Sequence, residues 1–115
     1  MRRGEVWWAE LAPRSGSEQR GRRPVVVLSH DAFNATATWR SVIVVPLSTA
    51  TKQALRGPTA VAIDLGEGGL RAASIALCHQ VTTLDRAKLV VRVGTLGEPA
   101  LAAVEAGLKV ALDLR

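Results

Sequence analysis

Apolar residues fall in short blocks along most of the chain and adopt a helical repeat only near its end. Residues 4–11, Gly-Glu-Val-Trp-Trp-Ala-Glu-Leu, predict a strand, since Val and Trp suit a pleated, half-buried surface. Trp7 and Trp8 are consecutive there and point to opposite faces, one toward a core and one toward an interface or solvent. Residues 13–22 hold two glycines and two serines among charges and predict a loop. Val25-Val26-Val27-Leu28 is continuously apolar, the mark of a strand buried on both faces, with Pro24 expected at its first position. Further strands are predicted over 42–47, 59–63, 74–81 and 90–93. Residues 30–40 and 52–58 predict loops, the first with at most one helical turn, and Asp85 caps a short turn over 85–89. The tail differs: Pro99 suits a first helical position, and Leu101, Val104, Leu108 and Leu112 recur on one stripe of a helix over 98–113. No repeat or linker interrupts this pattern, so residues 1–115 are expected to form one domain. The class is mainly β, a small, strongly bent sheet or barrel with a helix packed on it.

Composition narrows the partners. Of 115 residues, 48% are apolar, enough for a core, and a second copy would bury more of so small a surface. Fifteen Lys and Arg against ten acids give a net charge of +5, which favours nucleic acid or an acidic protein without choosing between them. The single cysteine, Cys78, excludes an internal disulfide and a cysteine zinc site and points to a reducing compartment. No apolar run reaches the ~20 residues of a membrane span, and the basic start lacks the apolar stretch of a signal peptide. The expected location is the cytoplasm, with no membrane partner. His30 and Cys78 are read as structural.

Three stretches occur in order: Arg3-Gly4-Glu5-Val6-Trp7-Trp8-Ala9-Glu10-Leu11 running on to Gly16-Ser17-Glu18-Gln19-Arg20-Gly21-Arg22-Arg23-Pro24-Val25-Val26-Val27-Leu28-Ser29; Val44-Val45-Pro46-Leu47-Ser48-Thr49; and Ala76-Leu77-Cys78-His79-Gln80-Val81-Thr82-Thr83-Leu84-Asp85. Together they resemble the MazF/PemK family, the ribonuclease toxins of bacterial toxin–antitoxin pairs, over nearly the whole chain. The Gly-Ser-Glu-Gln…Arg-Pro stretch is the most specific part. The resemblance implies a small SH3-like barrel with a C-terminal α-helix, a homodimer, and cleavage of single-stranded RNA without metal or other cofactor, leaving 2′,3′-cyclic phosphate and 5′-OH ends. It also implies an antitoxin protein that binds and blocks the toxin.

Such cleavage needs an activated 2′-OH, a positive group facing the phosphorane, and a proton for the leaving oxygen. Four residues are the catalytic candidates. Arg23 has forked donors suited to two phosphate oxygens, and it acts by charge because arginine keeps its proton. Ser48, where the family usually has threonine, keeps the hydroxyl that bonds the phosphate or orients the 2′-OH. Glu18 accepts the 2′-OH proton or positions Arg23. His79 stands where relatives carry Asp or Glu; it is a candidate base at neutral pH, a base-stacking residue, or an exposed strand histidine. Gln19, Arg20, Arg22, Thr49, Lys52, Trp39 and Gln80 are candidate RNA contacts, with Arg14 and Arg56 as further groove charges. Two alternatives stay open: a gyrase-inhibiting toxin of the same fold, which would act through a C-terminal tail that here lacks an aromatic residue, and a non-catalytic RNA-binding module.

Overall fold

The computed structural model describes residues 1–11 and 21–115. Strands β1 (Glu5–Leu11) and β2 (Gly21–Val27) pair antiparallel, from Val6 opposite Val26 to Leu11 opposite Gly21. Strand β3 (Ser41–Ser48) lies on the other side of β2. The outer edge of β3 is shared: β6 (Thr82–Asp85) pairs along Ser41–Val44, and β5 (Ser74–Leu77) takes over at Leu47 and Ser48. With β4 (Ala60–Ile63) beyond β5 and β7 (Leu89–Thr95) beyond β1, the path runs β4-β5-β3-β2-β1-β7 and stays open. Helix α1 (Asp31–Asn34) is a single turn, and α2 (Glu98–Leu112) is the terminal helix.

Because side chains alternate across β2 and β3, the bent sheet buries a core on each face. Ala9, Val25, Val27, Val42, Val44 and Leu89 fill one, inside the curl of β1, β2, β3, β6 and β7. Val6, Val26, Val45, Leu47, Ala76 and Cys78 fill the other, where Val104 of α2 joins them and Leu101 and Leu108 pack alongside. Each buried valine is worth about 1.5–3 kcal/mol relative to exposure, which explains the unbroken Val25–Leu28 run, buried on both sides. Gly107 lets α2 close onto the sheet, since a Cβ there would lie 2.6 Å from Val61 and 2.9 Å from the Cys78 sulfur.

Several expectations shift. The strand expected over 74–81 ends at Leu77, and Cys78–Gln80 form a 3₁₀ turn. The cause is packing: Cys78 is anchored under α2, its Sγ 3.5 Å from the Val104 carbonyl, before the chain departs into the unpredicted β6. His79 is therefore a turn residue, not a strand residue. Pro24 is not the first residue of its strand, because β2 begins at Gly21. The predicted loop over 52–58 contains 3₁₀ turns spanning Thr51–Thr59, kinked at Gly57. Leu112 is half-exposed, and Ala111 packs against the core in its place. The Asp85 cap forms as expected, accepting from the Ala87 amide at 2.8 Å.

At the α1 end of the sheet, polar groups bond to one another. Ser29 Oγ donates to Asn34 Oδ1 at 2.6 Å, and Asn34 Nδ2 donates to the Ser29 carbonyl at 2.7 Å. The Arg86 guanidinium donates to the carbonyls of Phe33, Asn34, Thr36 and Trp39 at 2.7–3.2 Å. His30 Nδ1 caps α1 by accepting from the Ala32 amide at 2.9 Å, which fits its structural reading.

Candidate functional site

At the opposite end, β2 and β3 present the first two candidates. The ladder between them runs from Val27 opposite Val44 to Val25 opposite Pro46 and stops. Pro24 and Pro46 both lack an N–H, so the pairing has few donors with which to continue. Both strands remain extended, and Arg23 and Ser48 each stand two residues beyond the last pair of the ladder. Side chains two residues along an extended strand return to the same face, so Arg23 shares the face of Val25, and Ser48 that of Pro46.

Arg23 is half-buried, and burial pushes its guanidinium below the ordinary arginine value. It remains a cation. Its partial dehydration strengthens attraction to an anion, because charges interact more strongly away from bulk water. Ser48 is 9% exposed, and its Oγ accepts from the Ala50 amide at 3.1 Å. That bond fixes the side chain and leaves the hydroxyl proton to donate. A forked cation facing a fixed hydroxyl donor can grip one phosphodiester and stabilise charge that grows on it.

The other candidates are distributed unevenly. Glu18, Gln19 and Arg20, with Arg14, lie outside the described residues. Thr49 follows Ser48 and is exposed. Lys52 and Arg56 are exposed on the 3₁₀ turns after β3. Arg22 pairs with Glu10 at 3.6 Å, both side chains more than half exposed, so this pair is weak. His79 and Gln80 are exposed on the turn after β5, and β5 leaves Ser48 at Ile75. Strand β6 rejoins β3 with Thr82 opposite Val44, so the turn carrying His79 and Gln80 lies along the same stretch of β3 that ends at Ser48. Burial, and then the nearby Arg56 charge, hold its imidazole below the usual histidine value. Trp39 stands two residues before β3, whose other end is Ser48. It stacks on Phe33 with ring centroids 4.6 Å apart.

The sequence did not single out Glu5, Arg71 or Arg92. Glu5 is buried and accepts from Trp7 Nε1 at 3.0 Å, the Arg2 amide at 2.7 Å and Arg92 Nε at 2.8 Å. Burial alone would raise its carboxyl, but these hydrogen bonds and the Arg92 charge outweigh it and hold the carboxyl below the usual range. Arg92 also donates to Thr95 Oγ1 at 2.8 Å. On the face behind Arg23 and Ser48, Trp8, Pro24, Thr49, Leu70, Ser74 and Val91 line a cavity of about 520 Å³, with Arg71 and Arg92 among its walls. The available signal was an arginine breaking the apolar run 89–93. Trp7 and Trp8 do take opposite faces: Trp7 packs on the inner core, while Trp8 is 37% exposed. Among the described residues, no three His, Cys, Asp or Glu side chains gather as a metal would require.

Comparison with known proteins places this geometry. A family profile described as PemK-like, MazF-like toxin of type II toxin–antitoxin system matches residues 2–112. The chain is 37% identical over 117 residues to endoribonuclease MazF9 of Mycobacterium tuberculosis, covering 99% of this chain and 98% of that one. It is 33% identical over 114 residues to endoribonuclease EndoA of Bacillus subtilis, covering 99% and 96%. A solved MazE–MazF complex from Deinococcus radiodurans superposes with a TM-score of 0.77 at 25% identity, covering 100% of this chain and 97% of the matched one.

Proposed function

Because the chain belongs to the PemK-like, MazF-like toxins of type II toxin–antitoxin systems, we propose that it is a sequence-selective endoribonuclease of single-stranded RNA, acting without a metal. The β2–β3 ladder supports this reading: it ends at Val25 opposite Pro46, and Arg23 and Ser48 stand two residues beyond that pair on their two strands. Arg23 neutralises the charge that develops on the phosphorane oxygens. Ser48 donates to the phosphate or orients the 2′-OH. Attack of the 2′-oxygen on phosphorus forms the P–O2′ bond and breaks the P–O5′ bond, and the leaving oxygen takes up a proton. The products are a 2′,3′-cyclic phosphate and a 5′-OH. Glu18 receives the 2′-OH proton or positions Arg23. Gln19, Arg20, Arg22, Thr49, Lys52 and Gln80 hold the RNA backbone, and His79 contacts RNA beside the reacting phosphate.

The chain works as a homodimer held in check by a cognate antitoxin, as the MazE–MazF complex of its relative illustrates. No helix among the described residues is long and apolar enough to cross a membrane, and we place the protein in the cytoplasm with its RNA. The test is direct. Purified protein is incubated with a long single-stranded RNA in EDTA, and the new 5′ ends are mapped and their chemistry read. Cuts restricted to a short word, bearing 5′-OH and lost in Arg23→Ala, support the proposal. Intact RNA under these conditions refutes it.

A further inference from the structure

The cavity behind the catalytic pair has no role in the chemistry above, yet it opens one residue away on each strand. Pro24 adjoins Arg23, and Thr49 adjoins Ser48. A nucleotide attached to a phosphate between Arg23 and Ser48 therefore reaches it without leaving the end of the sheet. Trp8 supplies an indole wall, and Pro24, Leu70, Val91 and Val93 line the rest of an apolar slot. Two hydroxyls face the same space. Ser74 Oγ donates to the Ala72 carbonyl at 3.0 Å, which leaves its lone pairs to accept, and Thr49 is exposed and uncommitted among the described contacts. Two cations complete the lining. Arg92 is held in place by Glu5 and Thr95, both at 2.8 Å, and Arg71 is exposed with no ion-pair partner among the described residues.

An aromatic wall, an apolar slot, a few hydroxyls and flanking arginines are the elements by which proteins hold an unstacked base and its phosphate. We propose that this cavity is a base-reading subsite, in which one unpaired base next to the cut stacks on Trp8 while Arg71 contacts the adjoining phosphate. The proposal rests on the nuclease reading for its position but not for its binding chemistry. It assigns selectivity to a face of the sheet opposite the one that performs the reaction.

The experiment has two arms. In the first, wild type, Trp8→Ala, Trp8→Phe and Arg71→Gln cut a long mixed-sequence RNA, and cut words are tallied by sequencing. Trp8→Ala is expected to keep cutting while one position beside the cut loses its base preference and KM rises about tenfold, as loss of one stacked base implies. Trp8→Phe retains the preference. Arg71→Gln retains it too, raises KM and lowers the salt slope by about one. In the second, binding of an RNA carrying a 2′-deoxynucleotide at the scissile position is followed by anisotropy, and thermal unfolding shows that each variant is folded. Loss of affinity in Trp8→Ala alone upholds the subsite even if no cleavage is seen, so failure of the chemistry and failure of the subsite are separable. A folded Trp8→Ala protein with unchanged word frequencies and unchanged affinity overturns the proposal. Unchanged words together with lost inhibition by an acidic partner protein also overturn it, and assign the cavity to that partner.

Discussion

The two ends of β2 and β3 are built on opposite principles. At the α1 end, Ser29, Asn34 and Arg86 direct their hydrogen bonds inward, and no buried side-chain polar atom among the described residues is left without a partner. At the other end the ladder stops by two prolines, and Arg23 and Ser48 keep donor capacity that no other described residue takes up. A hydrogen bond made within the fold raises stability, whereas one withheld is available to a ligand. The closed end fixes the strands, and the open end inherits that rigidity for chemistry.

Substitutions at the two ends break this contrast in different observables. Arg23→Ala is expected to lower kcat by about 10²–10³, the usual effect of removing one preorganised charge-stabilising donor, with the unfolding midpoint unchanged. Asn34→Ala does the reverse. It removes the partner of the Ser29 hydroxyl proton and of the Ser29 carbonyl, Asn34 being 2% exposed, so a denaturant titration should show about 2–3 kcal/mol of lost stability, while folded protein retains its turnover. Ser48→Ala should reduce kcat about tenfold, the value of one neutral hydrogen bond, and Ser48→Thr should restore it. Unchanged kcat in Ser48→Ala would confine Ser48 to capping β3.

Titration sharpens the comparison further. Glu5 has a folded pKa below its unfolded value, so its contribution is fully present above pH ~4.3 and is lost as pH falls through the lowered value. Glu5→Gln should therefore flatten the acid side of the stability curve, read by urea titrations below pH 5. The smallest effect is expected from His79→Gln. Its imidazole, held below the usual histidine value, is uncharged at pH 7. The variant should change KM less than about fivefold, as expected for one polar contact, and leave the pH–rate profile as it was. A wild-type acid limb erased by His79→Gln would instead identify His79 as the general base.

How much of this was legible beforehand follows from the range of each interaction. Strand identities came through because Val25–Leu28 and Val44–Leu47 write their burial into consecutive residues. The α2 stripe came through because helical spacing is local, and only Leu112 was misassigned, one turn from the end where Ala111 takes its place. The turn at Cys78–Gln80 was not legible, because it is imposed by a helix 26 residues away. Arg23 and Ser48 were singled out by motif, but their meeting depends on a register between two strands. The cavity was hidden for the same reason: Trp8, Thr49, Ser74 and Val91 converge from four separate segments and share no local pattern.

The seat of Cys78 beneath Gly107 makes the protein its own reporter. Burial pushes this thiol to about 11, and it is fully enclosed, so a maleimide or disulfide reagent reacts only when α2 lifts. With one cysteine in the chain, labelling rates count helix openings directly, in wild-type protein, before and after an inhibitor is bound.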